Sequence, residues 1–266
     1  LDFFRHTTNL DPHELDRIRR LMRALYHQFE GVFVLNTDHR KWLTHSHMGL
    51  PRERVHLTAH HVEKPRRGVV PVRKSELIPG ATDDTPVLFL AGRLSKEKGI
   101  LELPEIVRLA REELPDLRIV IAGSGPHEKE LREQLPDATY LGWVSRERIE
   151  QIYAGLDLFV FPSKFDTFGN VVLEAFSQGM PVLAYATKGP KDIIRDGENG
   201  YLVDSIEEMA SSPIGHFRDR RRHAHMRAAA LRRVEDYQAG TIMREFLSNM
   251  GLPVAEPVAV EQRAAA

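Results

Sequence analysis

Cysteine is absent from all 266 residues. Its absence excludes disulfide staples and thiolate catalysis, and it fits a reducing cytoplasm. An excess of either charge is missing too: 37 Lys and Arg stand against 38 Asp and Glu, for a formal net charge of −1. Without a basic surplus, nothing argues for nucleic acid as a partner. No apolar run is long enough to span a bilayer, and no solenoid-type repeat recurs. What is left, 42% hydrophobic and 28% charged, is the composition of an ordinary globular protein. Its length allows one large core or two modest ones. The chain opens on Leu1-Asp2-Phe3-Phe4, which reads like the inside of a strand, so a piece of a longer protein is expected.

Within 1–62, Leu15, Ile18, Leu21, Met22 and Leu25 recur at helical spacing. The stretches "GVFVLN" (31–36) and "VHLTAHHV" (55–62) pattern as strands. Between them "DHRKWLTHSHMG" reads as a helix opened by Asp38 and closed by Gly49. This unit is too small to stand alone. Residues 63–85, rich in Pro, Gly and charge, read as a linker.

From Pro86 the pattern becomes regular. "VLFLAG", "LRIVIAG", "TYLG", "LFVFP", "PVLAY" and "GYLV" are short apolar runs, mostly separated by helical segments at 104–113, 126–134, 145–155, 170–178 and about 190–195. Such alternation predicts right-handed βαβ crossovers and a parallel sheet covered on both faces. The fold class is therefore α/β, with a Rossmann-like domain over 86–235. A basic helix begins near Phe217, a second helix spans about 236–250, and the low-complexity tail 251–266 is expected to be disordered.

Ligands of open α/β sheets sit beyond the carboxyl ends of the strands, and four polar clusters fall there. In "AGRLSKEKG", Arg93 and Lys98 follow a strand end beside Gly92, where two cations can neutralise a diphosphate. A solvated basic loop is the plain alternative. In "AGSGPHEKE", Gly123-Ser124-Gly125 is half of a dinucleotide fingerprint, and a tight turn opening a helix at Pro126 also explains it. In "YLGWVSRE", Ser145 caps a helix, and the Trp143 and Val144 backbone can read the edge of a base. Rim packing accounts equally well for the Trp143 side chain.

The fourth cluster, "FDTFGNVVLEAFSQGMPVLAY" (165–185), is the most specific. Thr167, Phe168, Gly169 and Asn170 lead into a helix over 171–178, stopped by Gly179 and Pro181. The free N–H groups of such a helix start suit a diphosphate. Glu174, one turn inside, can accept from a ribose diol, and Asp166 can hold hydroxyls of the sugar beyond the phosphates. A turn residue and a solvated carboxylate are the bland alternative.

These stretches, with "DGENGYLV" (196–203), stand in the order and spacing of family 4 retaining glycosyltransferases of GT-B fold, which the chain resembles over about 30–250. The family's acidic pair is usually Glu-x7-Glu, and here it is Asp166 and Glu174. The resemblance implies that Arg93 and Lys98 bind the donor diphosphate, Glu174 the ribose, and Asp166 with the 167–170 backbone the donor sugar. It implies that the Trp143–Val144 backbone reads the base. "FFRHTTNL" resembles a strand end of the family's N-terminal domain, which implies an active-site role near the donor sugar for His6. Residues 1–62 would then be the end of that acceptor-side domain, and the helix 236–250 would cross back onto it. Lys188-Gly189-Pro190-Lys191 departs from the Gly-Gly followed by Glu-Ile that the family often has there, and Ala59-His60-His61-Val62 departs from its hinge.

The thirteen histidines do not form a metal motif: His45 and His47, like His223 and His225, point to different sides of a helix. Asp83-Asp84 reads as turn chemistry. Arg218 to Arg222 with Arg227, Arg232 and Arg233 form either a solvated face or a contact for anionic headgroups at the inner face of a membrane. The expected activity is metal-independent transfer of a sugar from a nucleotide sugar, UDP- or GDP-linked, to a glycan or lipid-linked acceptor, with retention and no cofactor. The alternative is a donor-binding module that is inactive on its own.

Overall fold

The computed structural model describes residues 11–45, 48–63, 66 and 68–254. The readings placed on His6, on His47 and on the tail from 255 onward lie outside the described residues.

The first described helix, Pro12–Tyr26, begins with a reciprocal cap. The Asp11 carboxylate accepts the N–H groups of His13 and Glu14 at 2.7 and 2.9 Å, and Glu14 accepts the Asp11 N–H at 2.9 Å. Strands β1 (Val32–Val34) and β2 (Val55–Leu57) pair in parallel, with the helix Thr37–Thr44 between them. That helix is opened by Asn36 and not by Asp38. Asn36 is the extended residue before the first turn, and its side-chain oxygen accepts the His39 N–H at 2.7 Å. The helix also ends at Thr44, short of Gly49. Val34, Leu43, Met48, Leu50 and Val55 make a small core for this unit.

Beyond it, Val72 and Ile78 enter the core of the larger domain. Lys74, only 6% exposed, donates to the carbonyls of Asp83 and Thr85 at 2.9 and 2.7 Å and pairs with Asp157 at 2.8 Å.

The larger domain has six parallel strands: β3 (Val87–Ala91), β4 (Arg118–Ala122), β5 (Thr139–Gly142), β6 (Leu158–Phe161), β7 (Val182–Tyr185) and β8 (Gly200–Val203). Their order is β5-β4-β3-β6-β7-β8. Val87, Phe89, Phe159 and Phe161 point into a core with Tyr153, Val172 and Phe176, while Leu88, Leu90, Leu158 and Val160 point into a second core with Leu103, Ile106 and Val107. Because both faces are covered, the central strands β3, β6 and β7 are apolar along their length, as the unbroken runs required. The helix expected from Pro126 starts later, at Glu128. His127 and Glu128 first donate to the carbonyls of Leu94 and Gly125, which forms a turn.

The arginine-rich stretch is split at Asp219, which caps the helix Arg220–Val234. Arg227 does not face outward. It donates to the carbonyls of Ala154, Leu156 and Gln178, at the C-terminal ends of two helices. Arg233 likewise donates to the carbonyls of Asp192 and Ile193, and Arg218 and Arg220 pair with Glu113 and Asp84. Arg227 and Arg233 are therefore taken up by carbonyls of the protein itself, whereas Arg218 and Arg220 stay exposed at the surface in ion pairs. The last helix, Ala239–Asn249, returns to the small unit, where Phe246 meets Phe33 at 4.4 Å between ring centres. Among the described residues, no helix is long and apolar enough to cross a membrane.

Candidate functional site

The strand order reverses between β3 and β6. Crossovers from β3 step outward through β4 to β5, and those from β6 step the other way through β7 to β8. The loops after β3 and β6 therefore diverge and leave a crevice at the carboxyl ends of the strands. A cleft of about 640 Å³ occupies it, a volume suited to a nucleotide-sized ligand.

Its walls come from four loops. Gly92, Arg93 and Lys98 follow β3, Gly123 and Ser124 follow β4, Trp143 and Val144 follow β5, and Asp166, Asn170, Val171 and Glu174 follow β6. Gly123 is required by a close approach: its φ is +122°, and a Cβ there would lie 1.9 Å from the Gly92 carbonyl oxygen. The glycines of "AGSGP" thus bring two cleft loops together. The structure gathers nine of the residues singled out in the sequence at one site: Gly92, Arg93, Lys98, Gly123, Trp143, Val144, Asp166, Asn170 and Glu174. Thr167, Phe168 and Gly169 do not line the cleft: Thr167 is exposed, and Phe168 and Gly169 are buried. Phe168 is buried, with its ring against His60 and Tyr237.

Asp166 organises the loop after β6. Its Oδ1 accepts the N–H groups of Gly169 at 2.9 Å and Phe168 at 3.3 Å, and its Oδ2 accepts from Lys98 at 2.7 Å. The N–H groups of Phe168 and Gly169 are thereby taken, and those of Asn170 and Val171 remain at the cleft wall, at the start of the helix Asn170–Ser177. Arg93 is exposed in the cleft and its guanidinium makes no hydrogen bond or salt bridge to a described residue. Glu174 also has no such bond. The residue is exposed, yet the protein beside its carboxyl raises its pKa above 4.5 by desolvation, against an opposing pull from Arg146.

Ile149 and Tyr153 also line the cleft and were not singled out from the sequence. They stand one turn apart on the helix Arg146–Gly155, so a count of its sheet-facing positions would have found them. Past Glu174 the cleft adjoins a second cavity of about 910 Å³, lined by His60, His61, Arg146, Glu150, Met243 and Phe246 among others. Arg146 bridges Glu63 and Glu150 there. Among the described residues, no cluster of three or more His, Asp or Glu side chains is placed to hold a metal ion.

The sequence model of the glycosyl transferases group 1 matches residues 73–231. A GDP-mannose-dependent alpha-mannosyltransferase of Corynebacterium glutamicum is 33% identical over 201 residues, which cover 75% of this chain and 46% of that protein. The chain spans about half the length of such curated relatives. Among solved structures, Anabaena Alr3699/HepE in complex with UDP aligns with a TM-score of 0.75 at 20% identity, over 91% of this chain and 70% of that one. The C-terminal domain of a glycosyl transferase group 1 family protein (LpcC) from Francisella tularensis aligns with a TM-score of 0.56 at 25% identity, over 64% of this chain and 96% of that one.

Proposed function

Because the chain belongs to the glycosyl transferases group 1, we propose that its sheet domain holds the nucleotide sugar of a retaining, metal-independent glycosyltransferase. The observation that carries this reading is the convergence of Arg93, Lys98, Asp166, Glu174 and the start of the helix Asn170–Ser177 on one cleft. Arg93, Lys98 and the helix start stabilise the charge that builds on the departing diphosphate, as donors do at an oxyanion. Glu174 accepts from the ribose hydroxyls, and the Trp143 and Val144 backbone meets the base. Asp166 and the loop behind it address the donor sugar. Retention follows from attack on the face the diphosphate leaves, with the leaving phosphate taking the acceptor's proton. The positive charge that the diphosphate requires is already on the protein, which supports metal independence.

The Corynebacterium relative is named for GDP-mannose, and the Anabaena structure holds UDP. Both bases therefore enter the test, with a glycan or lipid-linked acceptor as the second substrate. Calorimetric titration with UDP, GDP and ADP, repeated with Glu174→Ala, decides whether the cleft is a donor site. One nucleotide should bind in the micromolar to millimolar range and lose its affinity in the variant. Absence of binding by all three would sink the reading. The span of about half the curated relatives favours one second reading, a donor-binding module that transfers nothing by itself. Nucleotide binding without turnover of any nucleotide sugar would select it.

A further inference from the structure

Asn36 caps the helix Thr37–Thr44 with one atom of its side chain and grips the donor loop with the other. Its Oδ1 accepts the His39 N–H at 2.7 Å, and its Nδ2 donates to the Thr167 carbonyl at 2.7 Å. The residue is only 3% exposed. The two partners are a donor and an acceptor on fixed backbone, so the amide has one orientation that serves both. The next two residues extend the contact. Thr37 donates from its N–H and its hydroxyl to the two carboxylate oxygens of Asp192, each at 2.7 Å, and Asp38 accepts from Lys191 at 2.6 and 2.7 Å.

These partners sit against the loop that Asn36 holds. Gly189, at φ +91°, approaches so closely that a Cβ there would lie 2.8 to 2.9 Å from the Phe168 backbone. On the other side, the His60 ring lies 4.9 Å from the Phe168 ring and its Nδ1 bonds Asn170 Oδ1 at 2.8 Å. Thr167 to Asn170 are thus clamped between the small unit and the 189–192 turn. The Lys188-Gly189-Pro190-Lys191 sequence, which departs from the family pattern, supplies the Lys191 half of the clamp.

We propose that Asn36, with His60 opposite it, is a positioning residue for the donor: it fixes the Thr167–Asn170 backbone, so that the helix start and Asp166 meet the far phosphate and the sugar. The proposal rests on the donor-site reading. It assigns Asn36 chiefly to the diphosphate end, because the base faces Trp143 and Val144 on the loop after β5, and Glu174 stands one turn further inside the helix, which its own packing holds.

The test separates the cap from the grip. Asn36→Asp keeps an oxygen for the His39 N–H and sets an acceptor against the Thr167 carbonyl. Asn36→Ser keeps a cap and lacks the reach. His60→Phe keeps a ring on Phe168 and loses the bond to Asn170. Each variant is titrated with UDP, UMP, GDP and GMP, and its thermal midpoint is measured. Folded variants should bind the diphosphate about three- to tenfold more weakly, the worth of one or two hydrogen bonds, with monophosphate affinity held within about twofold. Unchanged diphosphate affinity, equal losses for mono- and diphosphate, or loss of the fold in all three variants would each overturn the proposal. If the unaltered chain binds none of the four, the donor-site reading fails first, and this proposal fails with it.

Discussion

Lys98 and Asp166 meet at 2.7 Å, although 68 residues of chain separate them. Lys98 follows β3 and Asp166 follows β6, the adjacent strands at which the sheet reverses direction, so the ion pair spans the crevice. The pair is partly exposed, with side-chain exposures of 38% and 17%, and its own contribution to stability is small. Its larger consequence is competition. A diphosphate bound as proposed would compete with Asp166 for the Lys98 ammonium.

Asp166→Asn should therefore bind a nucleoside diphosphate more tightly than the unaltered chain. The amide oxygen still accepts from Gly169, while Lys98 is released and one negative charge leaves the cleft. An increase of about threefold at low salt, shrinking as salt is added, is the scale of a partly exposed ion pair. Calorimetry checks it, and equal or weaker binding would refute the competition.

Glu174 is exposed at the cleft, so the desolvation it suffers costs the fold only a little. Its pKa is raised by desolvation, so the folded state binds its proton more readily than the unfolded state does. That group's penalty is absent below the ordinary glutamate range and grows as pH rises through the raised value. Glu174→Gln should raise the melting temperature at pH 7 slightly relative to the unaltered chain, with the small gain vanishing near pH 4. The same change should weaken nucleotide binding about tenfold or more, since hydrogen bonds to a charged acceptor are the strong ones. A neutral pH midpoint that falls would contradict this account.

His216 and His223 stack at 4.6 Å between ring centres. Burial, with repulsion from Arg227 on both and from His223 on His216, pushes His216 down to about 3 and His223 to about 4. Unfolding frees both rings to take protons below their ordinary value of 6.5, so stability falls as pH drops through 6.5. Between pH 7 and pH 5 each ring removes about 2 kcal/mol. Both His216 ring nitrogens lack a hydrogen-bond partner, so His216→Phe should fold and flatten the acid side of the profile by about half. Denaturation in urea at pH 7 and pH 5 measures it, and an unchanged slope would exclude the pair as the cause.

Lys74 and Asp157 are nearly buried, at 7% and 11% side-chain exposure, and Asp157 also accepts the Val87 N–H at 2.9 Å. Lys74→Met strands a buried carboxylate and should cost about 3–5 kcal/mol. Removing the acid as well should recover much of that loss but not all, because the Val87 N–H is then unpaired. A single variant as stable as the unaltered chain would show that the carboxylate finds another partner.

The α/β fold was legible because its cause is periodic. Apolar runs in β3, β4 and β6 become largely buried strands, and the breaks at Gly92, Gly123 and Pro162 mark where loops begin. The cleft residues could be picked because each follows such a strand. Asp38 was misread as a cap because a polar residue beside a helix start looks alike at 36 and at 38. Only the extended backbone at Asn36 and the reach of Lys191 to Asp38 separate them. Arg227 was misread for a related reason: an arginine in a basic run carries no mark of the carbonyls of Ala154, Leu156 and Gln178 that surround it.

By itself the sequence determined what short-range interactions govern: strand and helix periods, the turns at glycine, and the order of polar clusters along one edge of a parallel sheet. The tertiary structure alone decided which of those polar groups face one another. Lys98 turns to Asp166, and Asn36 reaches Thr167 across 131 residues. The reason is geometric. Helix and strand periods are set by contacts within a few residues, whereas partners across the cleft are set by how five crossovers and a returning helix close. No local spacing along the chain carries that information.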